Sequence, residues 1–343
     1  MNHSLNLSKE EKLRARDLHR RAIVIDGSIV PKMGDASHFD RMQKGGVTGC
    51  NATVLRSWDG FRRGIERLGL WYRWLEQYSD RVLLAITTRD IMRAKQEGKV
   101  AIIFGPQNSK MIEDEIILLS IFHKLGIKII QLTYNYHNFV GSGCTERVDS
   151  GLSNFGVRLV KEMNQQGILV DLSHCGDATA NDAIDISDDP IVFSHACARS
   201  LTVHVRNKTD DQIKAMAEKG GVIGITSYTP LIWSKWGVRP TITDLLDHID
   251  YVVKLVGVDH VGIASDLEED PEELSREAWK PQGRPALPSD YSAGQTGRRN
   301  LFENVGEFWS ITEGLVSRGY SDNEIIKILG GNFLRVFKTV WEK

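Results

Sequence analysis

Two histidines close consecutive apolar runs of this 343-residue chain, GILVDLSH at His174 and PIVFSH at His195. Neighbouring parallel strands lie about 4.8 Å apart. Imidazoles at equivalent strand ends therefore reach a common point, where they can hold one divalent ion and leave a coordination position open. A single strand-end histidine reads most simply as a hydrogen-bonded structural group, but two in equivalent places point to shared metal or substrate binding. Asp266 ends a third run, HVGIASD, where a carboxylate can ligate or move a proton; the plainer alternative is a helix N-cap. Arg206 in HVRNKTDD has the planar fork that grips a carboxylate, and competes with a surface ion pair to Asp210 or Asp211. Gln107 and Tyr134 follow two more apolar runs, and His137 is a second-tier candidate. Cys175 and Cys197 flank the histidines and read as buried small hydrophobes before thiolate ligands.

These residues need a scaffold that presents strand ends to one cavity. Eight short runs rich in β-branched residues supply it: 22–27, 47–55, 100–105, 127–134, 167–174, 190–195, 221–227 and 260–266. Amphipathic stretches of helical length separate them, among them EDEIILLSIFHKLG, GLSNFGVRLVKEMNQQG, DDQIKAMAEKGG and TDLLDHIDYVVKLVG. Eight strands with crossover helices and polar residues at several strand ends predict a single (β/α)8 TIM barrel over 1–343, of the metal-dependent hydrolase type. An open doubly wound sheet would instead gather its ligand groups at one switch point. Residues 1–20 read as an amphipathic helix against the barrel bottom, and 267–300 as a long loop after the last strand, holding four of the nine prolines.

Composition narrows the function from outside. Lys and Arg total 43 against 45 Asp and Glu, so no basic excess is available for nucleic acid. Neither GxGxxG nor GxxxxGK[ST] follows a strand, which excludes the common nucleotide-cofactor cradles. The four cysteines form no CxxC pair, and no apolar run approaches the roughly 20 residues of a membrane span. A cytoplasmic protein with a small-molecule substrate and no membrane partner is expected.

The segments KEMNQQGILVDLSH, PIVFSHACARSLTVHVRN, KTDDQIKAMAEKGGVIGI, VGVDHVGIASD and GGNFLRVF together resemble the membrane dipeptidases, peptidase family M19, over nearly the whole chain. The resemblance implies a (β/α)8 barrel with two zinc ions that cleaves dipeptides, commonly as a homodimer. It implies that His174 and His195 are metal ligands, that Arg206 binds the substrate carboxylate and that Asp266 meets the substrate amine. The chain departs from the family at three places. The first-strand His-x-Asp is replaced by Ser28 and Val30, the bridging glutamate by Gln107, and the histidine of Leu-Thr-His-Asn by Tyr134. An amide carries no charge to hold two dications together, so at most one ion, zinc, is expected. Gln107, Asn108, Asn135 and Arg206 then line the pocket toward substrate, with Asp266 and Tyr134 catalytic. The leading expectation is a hydrolase of a small amide-type substrate bearing a carboxylate. A metal-independent proton-transfer enzyme and a non-catalytic small-molecule binder are the alternatives.

Overall fold

The computed structural model describes residues 5–32, 34–235, 238–268 and 300–343. All eight apolar runs contain strands. In chain order with two additions these are β1 (Ile25–Val30), β2 (Gly49–Ala52), β3 (Val82–Leu84), β4 (Val100–Phe104), β5 (Ile129–Gln131), β6 (Leu169–Asp171), β7 (Val192–Ala196), β8 (Val222–Thr226), β9 (Val261–Ala264) and β10 (Leu267–Glu268). The sheet is parallel and runs β3-β4-β2-β1-β9-β8-β7-β6-β5. Beyond β3, the upper end of β4 meets the start of β5: Phe104 pairs with Ile127, and the Lys128 N–H donates to the Phe104 carbonyl at 3.1 Å. The eight expected strands thus form the barrel, and β3 is an extra strand on the lower half of β4.

Helices fill the crossovers where amphipathic stretches stood, over Ile117–Lys124, Asn154–Gln166, Asp210–Glu218 and Ile242–Val256. Their ends follow local chemistry. Thr209 and Gln212 exchange side-chain bonds to each other's backbone N–H in a capping box, and Gly167 takes the left-handed conformation after Gln166.

The apolar interior divides in two. One cluster lies inside the barrel, where Ile25, Ile129, Leu169, Val192 and Val222 from the strand starts meet the helix Asn332–Trp341. The other fills the space between sheet and outer helices. One expectation is corrected here. The first helix, Lys9–Arg21, packs on Trp309–Ser317 with His19 bonded to Thr312; the barrel bottom is closed by Asn332–Trp341, because Phe333 is the side chain that fits there. Its ring lies 2.5 Å from where a Cβ would stand at Gly262, and together with the Ser194 carbonyl leaves no room for one at Gly27 and Gly224. The expected loop 267–300 begins with β10, whose Leu267 and Glu268 pair in parallel with Ile29 and Val30 of β1; residues 269–299 lie outside the described residues. No described helix is long and apolar enough to cross a membrane.

Candidate active site at the strand ends

The site is built where ladders slip. The β7–β8 register shifts between Phe193 and Ala196, and the β1–β2 register between Asp26 and Ile29. Ser265 and Asp266 interrupt what would otherwise be one strand from β9 into β10 along β1. Such interruptions re-aim side chains but remove ladder partners from backbone N–H groups, which must find others when buried. Two buried carboxylates supply them in parallel ways. Asp171 Oδ1 accepts from the Ser173 and Ser194 N–H groups at 3.0 Å each. Asp26 Oδ1 accepts from the Ser28 N–H at 3.2 Å and the Ser265 N–H at 2.7 Å. In each case the serine on the neighbouring strand also donates its hydroxyl to Oδ2 at 2.5 Å. The residue after that serine is the chemical one, His195 in the first case and Asp266 in the second.

The two imidazoles converge, with His174 Nε2 and His195 Nε2 3.0 Å apart. The partners on the far side of each ring give one consistent proton arrangement. Ser194 gives its only proton to Asp171, so its oxygen accepts from His195 Nδ1–H at 2.7 Å. His174 Nδ1–H donates to Asn135 Oδ1 at 2.7 Å. In that arrangement both Nε2 atoms point lone pairs at one another. Burial, with the positive charge of Arg206 next, holds both imidazole pKa values well below the usual histidine range, so a proton does not relieve the clash. A cation does, and two nitrogens about 2.0–2.1 Å from a tetrahedral zinc stand about 3.3 Å apart, close to the spacing found. The pair fits two ligands of one ion.

A two-ion site does not fit. Gln107 Nε2 donates to Ser28 Oγ at 3.0 Å and to Thr53 Oγ1 at 2.9 Å, so a neutral hydrogen-bonded cluster fills the place of the missing ligands. Among the described residues no group of three His, Cys, Asp or Glu is arranged to hold a metal, so the histidine pair offers a single ion two protein ligands. Asp266 Oδ1 stands 4.0 Å from His195 Nε2.

The remaining candidates fall on both sides of the cavity wall. Asp266 caps no described helix. It adopts φ 49°, its N–H donates to the Ser28 carbonyl at 2.8 Å, and burial, opposed by Arg206, raises its pKa to about 6. Tyr134 stacks on His174 with ring centres 4.1 Å apart; burial and the Asp266 charge push its phenol well up, so it stays protonated. Arg206 is buried and not on the surface: it donates to the Ser173 carbonyl and, at 3.1 Å, to the His195 carbonyl, tying the two histidine strands together. Asn135, with φ 62°, holds His174. Both ends of the Asn108 side chain are engaged, by the Ser57 carbonyl at 2.7 Å and Asn138 at 2.7 Å, so its amide braces a loop. His137 is exposed. Cys175 and Cys197 are buried free thiols, their pKa values raised to about 11 and about 12.

Sequence reasoning missed Asp171, Ser173, Ser194, Ser265 and Lys208. Lys208 is fully buried, donates to the Cys175 carbonyl at 3.1 Å and lies 5.0 Å from the Phe193 ring centre. The signal available was the doubled Ser-His, preceded in one strand by Asp at the spacing of an Asx turn.

A parallel β/α barrel with imidazoles converging at its strand ends is the architecture of the TIM-barrel metal-dependent hydrolases. Within that class the chain belongs to the membrane dipeptidase family (peptidase family M19), whose model matches residues 13–276 and 286–343. It is 31% identical over 281 residues to the dipeptidase tcpJ of Claviceps purpurea, a match covering 81% of this chain and 60% of that protein; it thus spans about three fifths of the curated relatives it matches. A solved amidohydrolase from Pseudomonas aeruginosa is 36% identical with a TM-score of 0.85, covering 96% of this chain and 99% of that one. The probable dipeptidase PvdM from the same organism is 21% identical with a TM-score of 0.82, covering 98% and 100%, and shows the shared fold.

Proposed function

We propose that the chain is a hydrolase of a small amide-type substrate carrying a carboxylate, working with a single divalent ion, zinc, held by His174 and His195. The observation that carries this reading is the pair of converging Nε2 lone pairs, each fixed by a hydrogen bond on the far side of its ring. When bound, the ion supplies Lewis acidity at the cavity mouth.

The chain's own groups do the rest. Asp266, its Oδ1 4.0 Å from His195 Nε2, is placed to take a proton and return it to the leaving nitrogen. Tyr134, held protonated, donates to the developing oxyanion. Arg206 contributes positive charge toward the substrate carboxylate. Gln107 uses both amide hydrogens on Ser28 and Thr53 and so presents only its oxygen, an acceptor for a substrate N–H. The four free cysteines fit a reducing, cytoplasmic setting, and family membership supports a homodimer.

Metal analysis of the purified protein, with turnover of dipeptides and N-acyl amino acids, tests the reading. One zinc per chain and loss of turnover with a chelator are expected. Turnover indifferent to chelators, with no metal, would instead favour proton transfer without an ion. Saturable binding without turnover would make the barrel a binding protein.

A further inference from the structure

The proton count around Asp171 reaches further than the histidine pair itself. Both neighbouring serine hydroxyls donate to this buried carboxylate, Ser173 to Oδ1 at 2.6 Å and Ser194 to Oδ2 at 2.5 Å. With their protons committed, both oxygens become acceptors, and both accept from His195: Ser173 Oγ from its backbone N–H at 3.1 Å, Ser194 Oγ from Nδ1–H at 2.7 Å. The 3.1 Å between the two hydroxyl oxygens is then a contact between two acceptors, tolerated because each faces its own donor. One carboxylate thus grips one histidine at two points, main chain and ring, through two hydroxyl relays. All of these groups are buried, so water does not compete.

We infer that Asp171, acting through Ser194 Oγ, is a positioning residue that locks His195 as the Nδ1–H tautomer and turns its Nε2 toward the ion. A carboxylate acting on a ligand imidazole through a hydroxyl raises ligand basicity and fixes ring orientation, as outer partners of metal-binding histidines commonly do. The matching construction at Asp26, Ser265 and Asp266 is independent support, because the same device recurs where a second functional side chain leaves an interrupted strand. The inference rests on His174 and His195 holding one ion, but its first test does not.

That test is nitrogen-15 NMR of histidine-labelled, metal-free protein. His195 is expected to carry its proton on Nδ1; a proton on Nε2 would overturn the inference, whether or not zinc binds. The second test is zinc affinity by competition with a chromophoric chelator. Ser194→Ala is expected to weaken binding about 10–100-fold, and Ser194→Thr, which keeps the hydroxyl, to restore most of it. Unchanged affinity in Ser194→Ala, or equal losses in both variants, would refute the relay. If the wild type binds no zinc at all, the proposed function fails and the tautomer spectrum alone decides the positioning role.

Discussion

Gln107→Glu separates a one-ion site from a two-ion site. Gln107 is 5% exposed, and its two amide hydrogens are replaced by acceptor lone pairs. Ser28 and Thr53 can turn their own hydroxyl protons toward the new carboxylate, which recovers the two hydrogen bonds. The charge itself remains, and burying a carboxylate without a partner costs several kcal/mol after relaxation. The recovered bonds, at roughly 1.5–3 kcal/mol each to a charged group, offset most of that, and a net loss of about 1–2 kcal/mol is expected in metal-free protein. For a chain of this size that is a fall in Tm of about 2–3 °C. Zinc should reverse it, because the carboxylate gains a cation beside the histidine pair. A second ion should not bind, since Ser28 and Val30 offer no ligands, and only Ser28→His, Val30→Asp, Gln107→Glu together should take up two. Calorimetry with and without zinc, and metal content per chain, read all of this. Two ions and vigorous dipeptide turnover in the wild type would refute the reasoning.

His174→Ala and His195→Ala should each abolish turnover with an unchanged circular dichroism spectrum; near-normal activity in either would remove its assigned role. His248 is buried with Nδ1 accepting from the Ala198 N–H at 3.2 Å, and burial lowers its pKa to about 4. Because its folded pKa is depressed, its stabilising effect is full above the unfolded value near 6.5 and is lost as pH falls toward 4. Urea unfolding should show about 2 kcal/mol less stability at pH 5 than at pH 7 from this group, a slope that His248→Gln flattens. An unchanged slope in that variant would show the residue does not titrate as argued. Gly262→Ala places a Cβ 2.5 Å from the Phe333 ring and should cost about 1–3 kcal/mol by overpacking. Phe333→Leu should relieve part of it, and strict additivity in the double variant would mean the two do not touch.

The barrel was legible because each of its strands is a run of apolar, β-branched residues between helical stretches, a pattern written by burial on both faces. β3 escaped because three residues, Val82–Leu84, flank only the lower half of β4 and carry no period of their own. Asp266 and the two histidines stood out as polar ends of apolar runs. Asp171 and the serines did not, because their meaning lies in register slips between strands and in where a hydroxyl proton goes, which pairing across the sheet decides. Asn108 shows the opposite error: a polar residue beside the cavity whose amide is claimed on both sides by a loop.

Phe333 in the hollow formed by Gly27, Gly224 and Gly262 also sets an order in time. During synthesis the eight strands all emerge before residues 332–341, and β1 must wait for β9, whose Ile263 pairs with Asp26, before the ring can close. Such distant pairing makes folding slow. Until the aromatic wedge arrives, the bottom of the barrel lacks the ring that packs on Gly27, Gly224 and Gly262. A nascent chain stopped before Asn332 should therefore be cut readily by protease in β1, β8 and β9 while the extended chain resists. The strand-end site is then expected to take its final shape only after the ring has closed, so a chain stopped before Asn332 should bind no substrate.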